Sequence, residues 1–172
     1  FTGWASMAAY RYGRPHVGYQ GLLATALLTD QGALGYVTEL LSGDFNAAFG
    51  RSSHHQVWSE AMVVTPLVRG LLGIEPLDGG ARLRIAPQLP ADWDRVRGRR
   101  VMSRGTLLDV EVTRSPGLVT IRTTRTGPNG PSLVLAPALP LDAQPESVRI
   151  DGRAVRATPQ RLGDVQFVEV TV

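Results

Sequence analysis

The stretch Ser53-His-His-Gln-Val-Trp-Ser-Glu-Ala-Met-Val-Val-Thr-Pro-Leu-Val-Arg-Gly-Leu-Leu-Gly73 precedes a change in the pattern of the whole chain. Its apolar residues recur nearly all round a helix, which predicts a helix over 54–72 that is buried on most sides. Ser53 and Gln56 have the spacing of a capping box, so Ser53 is the expected cap. Gly73 is a typical helix stop. Pro66 should kink the helix because it has no backbone amide to donate.

Two more helices are predicted upstream of this stretch. Residues 2–11 end at Gly13-Arg14-Pro15, a stop followed by a proline suited to the next first turn. Residues 16–29 carry apolar side chains at three- and four-residue steps. Three helices with so much apolar surface cannot close a core by themselves. We therefore expect them to pack against a missing N-terminal part of the same polypeptide.

After Gly73 the period changes from that of a helix to that of a strand. Short alternating or β-branched runs are separated by turn-forming clusters such as Gly127-Pro-Asn-Gly130 and Asp151-Gly152. The predicted strands lie near residues 83–85, 96–101, 107–112, 118–121, 133–135, 148–150 and 167–172. This arrangement indicates an antiparallel β-sandwich. The prediction is a multidomain α and β chain, divided into residues 1–75 and 76–172.

Composition narrows the function classes. A hydrophobic fraction of 43% and a charged fraction of 19% are globular values, and no apolar run approaches the ~20 residues of a membrane helix. The second half is basic, but its Arg residues are scattered along strands with few aromatics between them. That pattern favours a solvated face over a nucleic-acid surface. We expect no membrane and no nucleic-acid partner.

The long connection from Asp30 to Ser53 has no periodic pattern of its own, and such a loop usually has a function. Glu39 lies in it between apolar residues, where partial desolvation would raise its pKa and suit general acid or base chemistry. The alternative is a structural carboxylate that is bonded by loop amides or by Arg51. Asp44 is the second candidate carboxylate, and Asn46 follows it.

The residues around the expected helix start form a second candidate group. His54, His55 and Gln56 should lie in the first turn, where backbone amides favour an oxygen-rich group. Adjacent helical residues point about 100° apart, and the chain has no Cys and no HExxH spacing, so no metal site is predicted. Trp4, Tyr36 and Trp58 offer flat faces for sugar rings, or are ordinary core aromatics.

A family resemblance joins these pieces. Residues 36–44 (YVTELLSGD), 52–60 (SSHHQVWSE) and 62–73 (MVVTPLVRGLLG) resemble the C-terminal end of bacterial six-hairpin glycosidases. These are (α/α)6-barrel enzymes of the glycogen-debranching, amylo-α-1,6-glucosidase type, which are related to glucoamylase and trehalase. Residues 83–93 (LRIAPQLPADW) resemble the passage from barrel to C-terminal sandwich in that superfamily.

The resemblance implies the C-terminal helices of an (α/α)6 barrel followed by an antiparallel β-sandwich, in a fragment of a glycoside hydrolase. It implies inverting cleavage of α-glucosidic bonds with Glu39 as general base and an upstream acid. It further implies an oligo- or polysaccharide substrate without a cofactor, and sugar contacts by Phe1, Trp4, Tyr36, His55, Gln56 and Trp58. Two alternatives stay open: a non-catalytic carbohydrate-binding or accessory module, and an inverting glycoside phosphorylase.

Overall fold

The computed structural model describes residues 1–45, 47–128 and 130–172, and the chain divides into two compact units, 1–71 and 72–172. The first unit is helical: α1 is Thr2–Arg11, α2 is Pro15–Ala26 with a 3-10 extension Leu27–Asp30, and α3 is Val57–Thr65. A π-helical segment, Pro66–Leu71, continues α3. The sequence therefore predicted the helical segments correctly, apart from where α3 begins and how it ends.

Proline explains the end of α3. The regular α-helix stops at Thr65, and the wider π-helical turns begin at Pro66. Since proline has no N–H to donate and its ring crowds the preceding turn, regular α-helical bonding cannot continue past it. The predicted disturbance at Pro66 thus takes the form of a change in helical type.

Close packing between the helices of this unit depends on glycine. The backbone of α1 at Gly3 lies against Met62 of α3, so closely that a Cβ on Gly3 would overlap the Met62 carbonyl. The Tyr10 ring is buried and packs on Gly18 of α2 and on Gly70, where a side chain would also clash. Burial raises the pKa of Tyr10 above its ordinary value, and the neighbouring Tyr19 adds to this rise.

The expectation that the third helix is buried on most sides is wrong for this chain. Ser59 is the buried residue of α3, whereas the side chains of Val57, Trp58 and Val64 are 73%, 52% and 57% exposed. The reason is that α1 and α2 are the helices packed on it within the described residues.

Within its described residues, 72–128 and 130–172, the second unit contains twelve strands, and the sequence predicted the longer ones. Their bounds are β1 Ile74–Leu77, β2 Arg82–Ile85, β3 Arg95–Ser103, β4 Thr106–Ser115, β5 Leu118–Thr126, β6 Ser132–Leu135, β7 Ala138–Pro140, β8 Val148–Ile150, β9 Arg153–Val155, β10 Pro159–Leu162, β11 Val165–Val168 and β12 Val170–Thr171. The sheets have the strand orders β1-β2-β6-β12, β10-β11-β7, β3-β4-β5 and β8-β9.

This architecture is mixed helix and sheet, and its sheets are compatible with a β-sandwich. One pairing departs from the antiparallel prediction, because β2 and β6 run parallel. The run predicted as one strand over 167–172 is divided between β11 and β12, which pair in different sheets. Asp151 and Gly152 form the predicted turn between β8 and β9, and both have positive φ. The turn predicted over 127–130 includes Asn129, which lies outside the described residues.

Core positions follow the alternation of the strands. The inward residues of β4, Leu108, Val110 and Val112, are buried. A second apolar cluster consists of Ala86, Ala136, Val165 and Phe167, with Ala138 against it.

The segment between β2 and β3 is held by Arg114 of β4. Its guanidinium donates to the carbonyl oxygens of Leu89, Pro90 and Ala91, at 3.3, 2.8 and 2.7 Å. The Arg114 amide also donates to the Asp94 carbonyl, at 2.7 Å. Because an irregular, proline-containing segment has few partners of its own, these bonds tie it to the sheet.

The contact between α1 and α3 yields a testable prediction. Gly3→Ala should destabilise the helical unit by about 1–3 kcal/mol, because the new methyl group overlaps backbone atoms of Met62 that cannot move cheaply. This range is the net cost that remains after the ~1 kcal/mol that alanine gains over glycine in a helix. Gly43→Ala is the control, since nothing lies within 4 Å of its added Cβ.

Urea unfolding measures both variants. Tryptophan fluorescence in a Trp93→Phe background reports on the helical unit alone, since the other two tryptophans are Trp4 and Trp58. A Gly3→Ala variant as stable as the Gly43→Ala control would contradict the packing described above.

Candidate functional site

The loop between α2 and α3 folds back on itself. Its two arms run antiparallel, with the Glu39 amide bonded to the Ser53 carbonyl at 2.9 Å and the Phe49 amide bonded to the Leu40 carbonyl at 3.1 Å. Leu41 and Ala48 form an isolated bridge near the tip. The loop is therefore ordered by its own backbone bonds, although its described residues form no strand.

Side chains at the base of the loop add to this bonding. The buried Ser52 hydroxyl lies 2.8 Å from the Thr38 hydroxyl and accepts a bond from the Leu40 amide, also at 2.8 Å. Val37 is 1% exposed and anchors the first arm in the core. These groups precede and follow Glu39 in the sequence, so their bonds fix where the Glu39 backbone lies in the fold.

Glu39 is exposed, and its carboxylate accepts a bond from the Ser53 amide at 3.4 Å. The expected desolvation is therefore not found in this chain, because the apolar neighbours Leu40 and Leu41 are themselves exposed. The alternative interpretation of Glu39, a structural carboxylate, predicted such a bond from a loop amide. Glu39 nevertheless lies at the base of the loop, beside the segment that leads into α3.

The predicted helix cap is wrong. Gln56 occupies the N-cap position with extended backbone angles, φ −98° and ψ 100°, and α3 begins at Val57. The Ser53 hydroxyl accepts a long bond from the His55 amide, at 3.4 Å, and caps no helix. The cause is competition from the loop, since the Ser53 carbonyl bonds Glu39 and the Gln56 amide bonds the Val37 carbonyl. His54, His55 and Gln56 consequently precede the first turn.

Three of the predicted sugar-contacting residues form one exposed aromatic cluster. The ring centroids of Phe1 and Trp4 lie 5.5 Å apart, those of Trp4 and Trp58 lie 6.2 Å apart, and those of Phe1 and Trp58 lie 6.4 Å apart. Their side chains are 85%, 53% and 52% exposed. Large aromatic side chains normally bury most of their area, so a solvent-exposed group of three is a candidate binding surface.

Two more of the predicted residues form a separate pair. The rings of Tyr36 and His55 meet edge to face with their centroids 4.7 Å apart. Gln56 stands between His55 and α3 in the sequence, two residues before Trp58. Residues 55–58 thus link the Tyr36–His55 pair to the aromatic cluster along the sequence.

Asp44 lies at the tip of the loop, away from the base that holds Glu39. Its amide donates to the Ser42 hydroxyl at 3.1 Å. Asn46, the other polar residue named in the loop, lies outside the described residues. The folding of the loop therefore separates Asp44 from the contacts made by Glu39 and Ser53.

Sequence reasoning gave no role to Glu60, a carboxylate in the first turn of α3. Its Oε1 atom is buried and has no hydrogen-bond partner within the described part of the chain. The sequence signal that could have identified Glu60 is that it is the one acidic residue of the largely apolar stretch 54–72.

Residues 1–45, 47–128 and 130–172 contain no group of three metal-ligating side chains. Within the same ranges, each helix is too short or too polar to cross a membrane.

Comparison with known families gives a match in the second unit. Residues 78–127 match the family model described as glycosyl hydrolase family 65, C-terminal domain. The match supports a family 65 C-terminal module. It spans β2 to β5, covers 50 of the 172 residues and concerns a non-catalytic domain. It indicates a glycoside hydrolase lineage. No curated protein matches the chain.

The loop geometry predicts unequal effects of two serine substitutions. Ser52→Ala removes a buried hydroxyl and leaves the Leu40 amide without its acceptor, which should cost about 1–3 kcal/mol. Ser42→Ala is the control, because the amides of Asp44 and Phe45 that it serves are exposed and can turn to water. Its expected cost is below ~0.5 kcal/mol. Urea denaturation compares the two, and equal costs would mean that Ser52 does not hold the loop.

Proposed function

We propose that this chain is part of a glycoside hydrolase that cleaves α-glucosidic bonds with inversion, and that its helical unit contributes to an (α/α)6 catalytic barrel. The enzyme class rests on one observation, the match of residues 78–127 to a glycosyl hydrolase C-terminal domain. The substrate and the barrel rest on the resemblance of residues 36–73 to debranching-type six-hairpin glycosidases.

The exposed aromatic cluster supports sugar binding by the helical unit. The rings of Phe1, Trp4 and Trp58 are exposed to solvent and inclined to one another by 55–65°. The C–H faces of a sugar ring stack on exposed aromatic rings. His55 and Gln56 lie just before α3 and carry donors and acceptors for sugar hydroxyl groups. Tyr36, which packs on His55, completes the proposed subsite.

Glu39 is the proposed general base. A carboxylate oxygen can accept a proton from a water molecule, which is the role of a general base. The Ser53 amide donates to one of the Glu39 oxygens, which leaves the other free to orient that water. In an inverting enzyme the carboxylic acid that protonates the leaving oxygen stands ~6.5–9.5 Å from the base. We assign this acid to a part of the polypeptide upstream of this chain.

A non-catalytic carbohydrate-binding module is the second candidate. The matched model describes a C-terminal domain rather than a catalytic one, and Glu39 is more exposed than a typical catalytic carboxylate. In that case the aromatic cluster would bind sugar, and Glu39 would only hydrogen-bond a hydroxyl group.

Kinetics of the complete polypeptide that carries this chain test the proposal. Glu39→Gln keeps the shape of the side chain but cannot take a proton, so kcat should fall by roughly 10²–10⁴-fold with little change in substrate binding. Asp44→Asn is the matched control at the loop tip and should cost much less.

Three outcomes would change the assignment. Near-normal turnover of Glu39→Gln with collapse of Asp44→Asn would transfer the role to Asp44. Turnover that requires inorganic phosphate would make the enzyme a phosphorylase. Sugar binding without turnover in the unmodified polypeptide would favour the accessory module.

A further inference from the structure

The three-stranded sheet β3-β4-β5 has one buried face and one open face. The residues of β4 that alternate with its buried positions are Asp109, Glu111 and Thr113, and they lie on the open face. In register, Glu111 lies between Arg97 of β3 and Arg122 of β5. Thr113 lies between Arg95 and Thr120. The centre of the open face is therefore built from arginine, threonine and one glutamate.

Positive charge exceeds negative charge around Glu111. The Arg95 Nε donates to the Glu111 carboxylate at 2.6 Å. This hydrogen bond, together with the charges of Arg95, Arg97 and Arg122, lowers the pKa of Glu111. Asp109, the other carboxylate of β4 on this face, accepts a bond from the Arg100 amide at 2.8 Å. Glu111 is therefore the carboxylate beside the three guanidinium groups, and its single charge cannot neutralise all of them. Its charge is largely offset by Arg95, and the positive charge of Arg122 is left available on the other side.

A small concavity lies on this face beside Arg122. It is lined by Glu111, Thr113, Thr120 and Arg122. Thr113 and Thr120 are direct cross-strand neighbours, and Arg122 is two residues from Thr120 on the same face of β5. The concavity thus combines a planar, permanently charged donor with two freely rotating hydroxyl donors.

We propose that this concavity binds a phosphate group, either free or as a phosphate ester, through Arg122, Thr113 and Thr120. A guanidinium group matches the spacing of phosphate oxygens and can donate two parallel bonds. The hydroxyl groups reach the remaining oxygens, and Arg97 adds a favourable field from the other side of Glu111. This site is on the unit with the family match and is independent of the proposed sugar site.

The chemistry favours phosphate over two other ligands. A neutral sugar would need an apolar ring to stack on, and the concavity is lined by none. A nucleic acid would need aromatic side chains and a longer basic track. The donors instead line one small concavity, which suits one oxyanion.

Titration of the chain with inorganic phosphate at constant ionic strength, followed by amide NMR shifts, tests the proposal. We expect saturable shifts in β4 and β5 with a dissociation constant on the order of millimolar, because the site is exposed and screened by salt. Arg122→Gln should weaken binding by at least ~5-fold. Arg125→Gln is the control on the same strand. It changes the net charge equally, but Arg125 registers with buried Leu108 and lies on the other face.

Glu111→Gln should have the opposite effect to Arg122→Gln, and this effect distinguishes phosphate from sugar as the ligand. Removing the carboxylate should strengthen phosphate binding by roughly 2–5-fold, whereas a site for sugar hydroxyl groups would lose affinity. Glucose 6-phosphate should shift the same amides, and glucose should not. The proposal is overturned if no saturable shift appears, if Arg122→Gln and Arg125→Gln weaken binding equally, or if glucose binds as well as its phosphate.

Discussion

The approach of α1 to α3 at Gly3 and Met62 determines the geometry of the helical unit. With no side chain on Gly3, the two backbones touch, and the residue after Gly3 is Trp4. This contact places the Trp4 ring 6.2 Å from that of Trp58. The Tyr10 ring, packed on Gly18 and Gly70, holds the opposite end of α1 in the same way. The exposed aromatic cluster is thus a product of buried glycine contacts.

Hydrogen bonds, rather than burial, position the candidate base. Glu39 lies in a loop whose arms are joined through Ser52, Ser53 and Thr38. The same bonds hold the backbone of residues 53–56 in a non-helical conformation, so α3 begins at Val57. An extended segment before a helix can carry side chains in both directions, and here it carries His55 toward Tyr36. The loss of a capping box and the placement of these residues therefore have one cause.

The sequence pattern correctly predicted the elements that depend only on residues close together in the chain. Residues 2–11 formed a helix with the predicted bounds, and the Asp151-Gly152 turn formed because those residues tolerate positive φ. Contacts that are distant in sequence were not predictable in this way. The Ser53 cap failed because Glu39, fourteen residues upstream, competes for the Ser53 carbonyl. The parallel pairing of β2 with β6 joins segments about fifty residues apart, and no alternation pattern records such a pairing.

In the candidate site, too, the sequence identified residue types, whereas their placement depends on contacts between distant segments. Aromatic residue types pointed to Trp4 and Trp58, yet only the helix packing brings them together with Phe1. The exposure of Glu39 could not be inferred, because the flanking Leu40 and Leu41 are apolar but unburied. The phosphate concavity depends on cross-strand register, which the sequence of any one strand does not contain.

We propose that the aromatic cluster on the helical unit binds α-linked glucose, and tryptophan NMR signals test this binding most directly. The chain has three tryptophans, and their indole N–H groups give separate NMR signals. Addition of maltotriose should shift the signals of Trp4 and Trp58 together, with one common saturation curve, and leave Trp93 of the sheet unit unchanged. If the signals of Trp4 and Trp58 do not respond, or if Trp93 alone responds, the sugar site is not on this surface and the account is wrong.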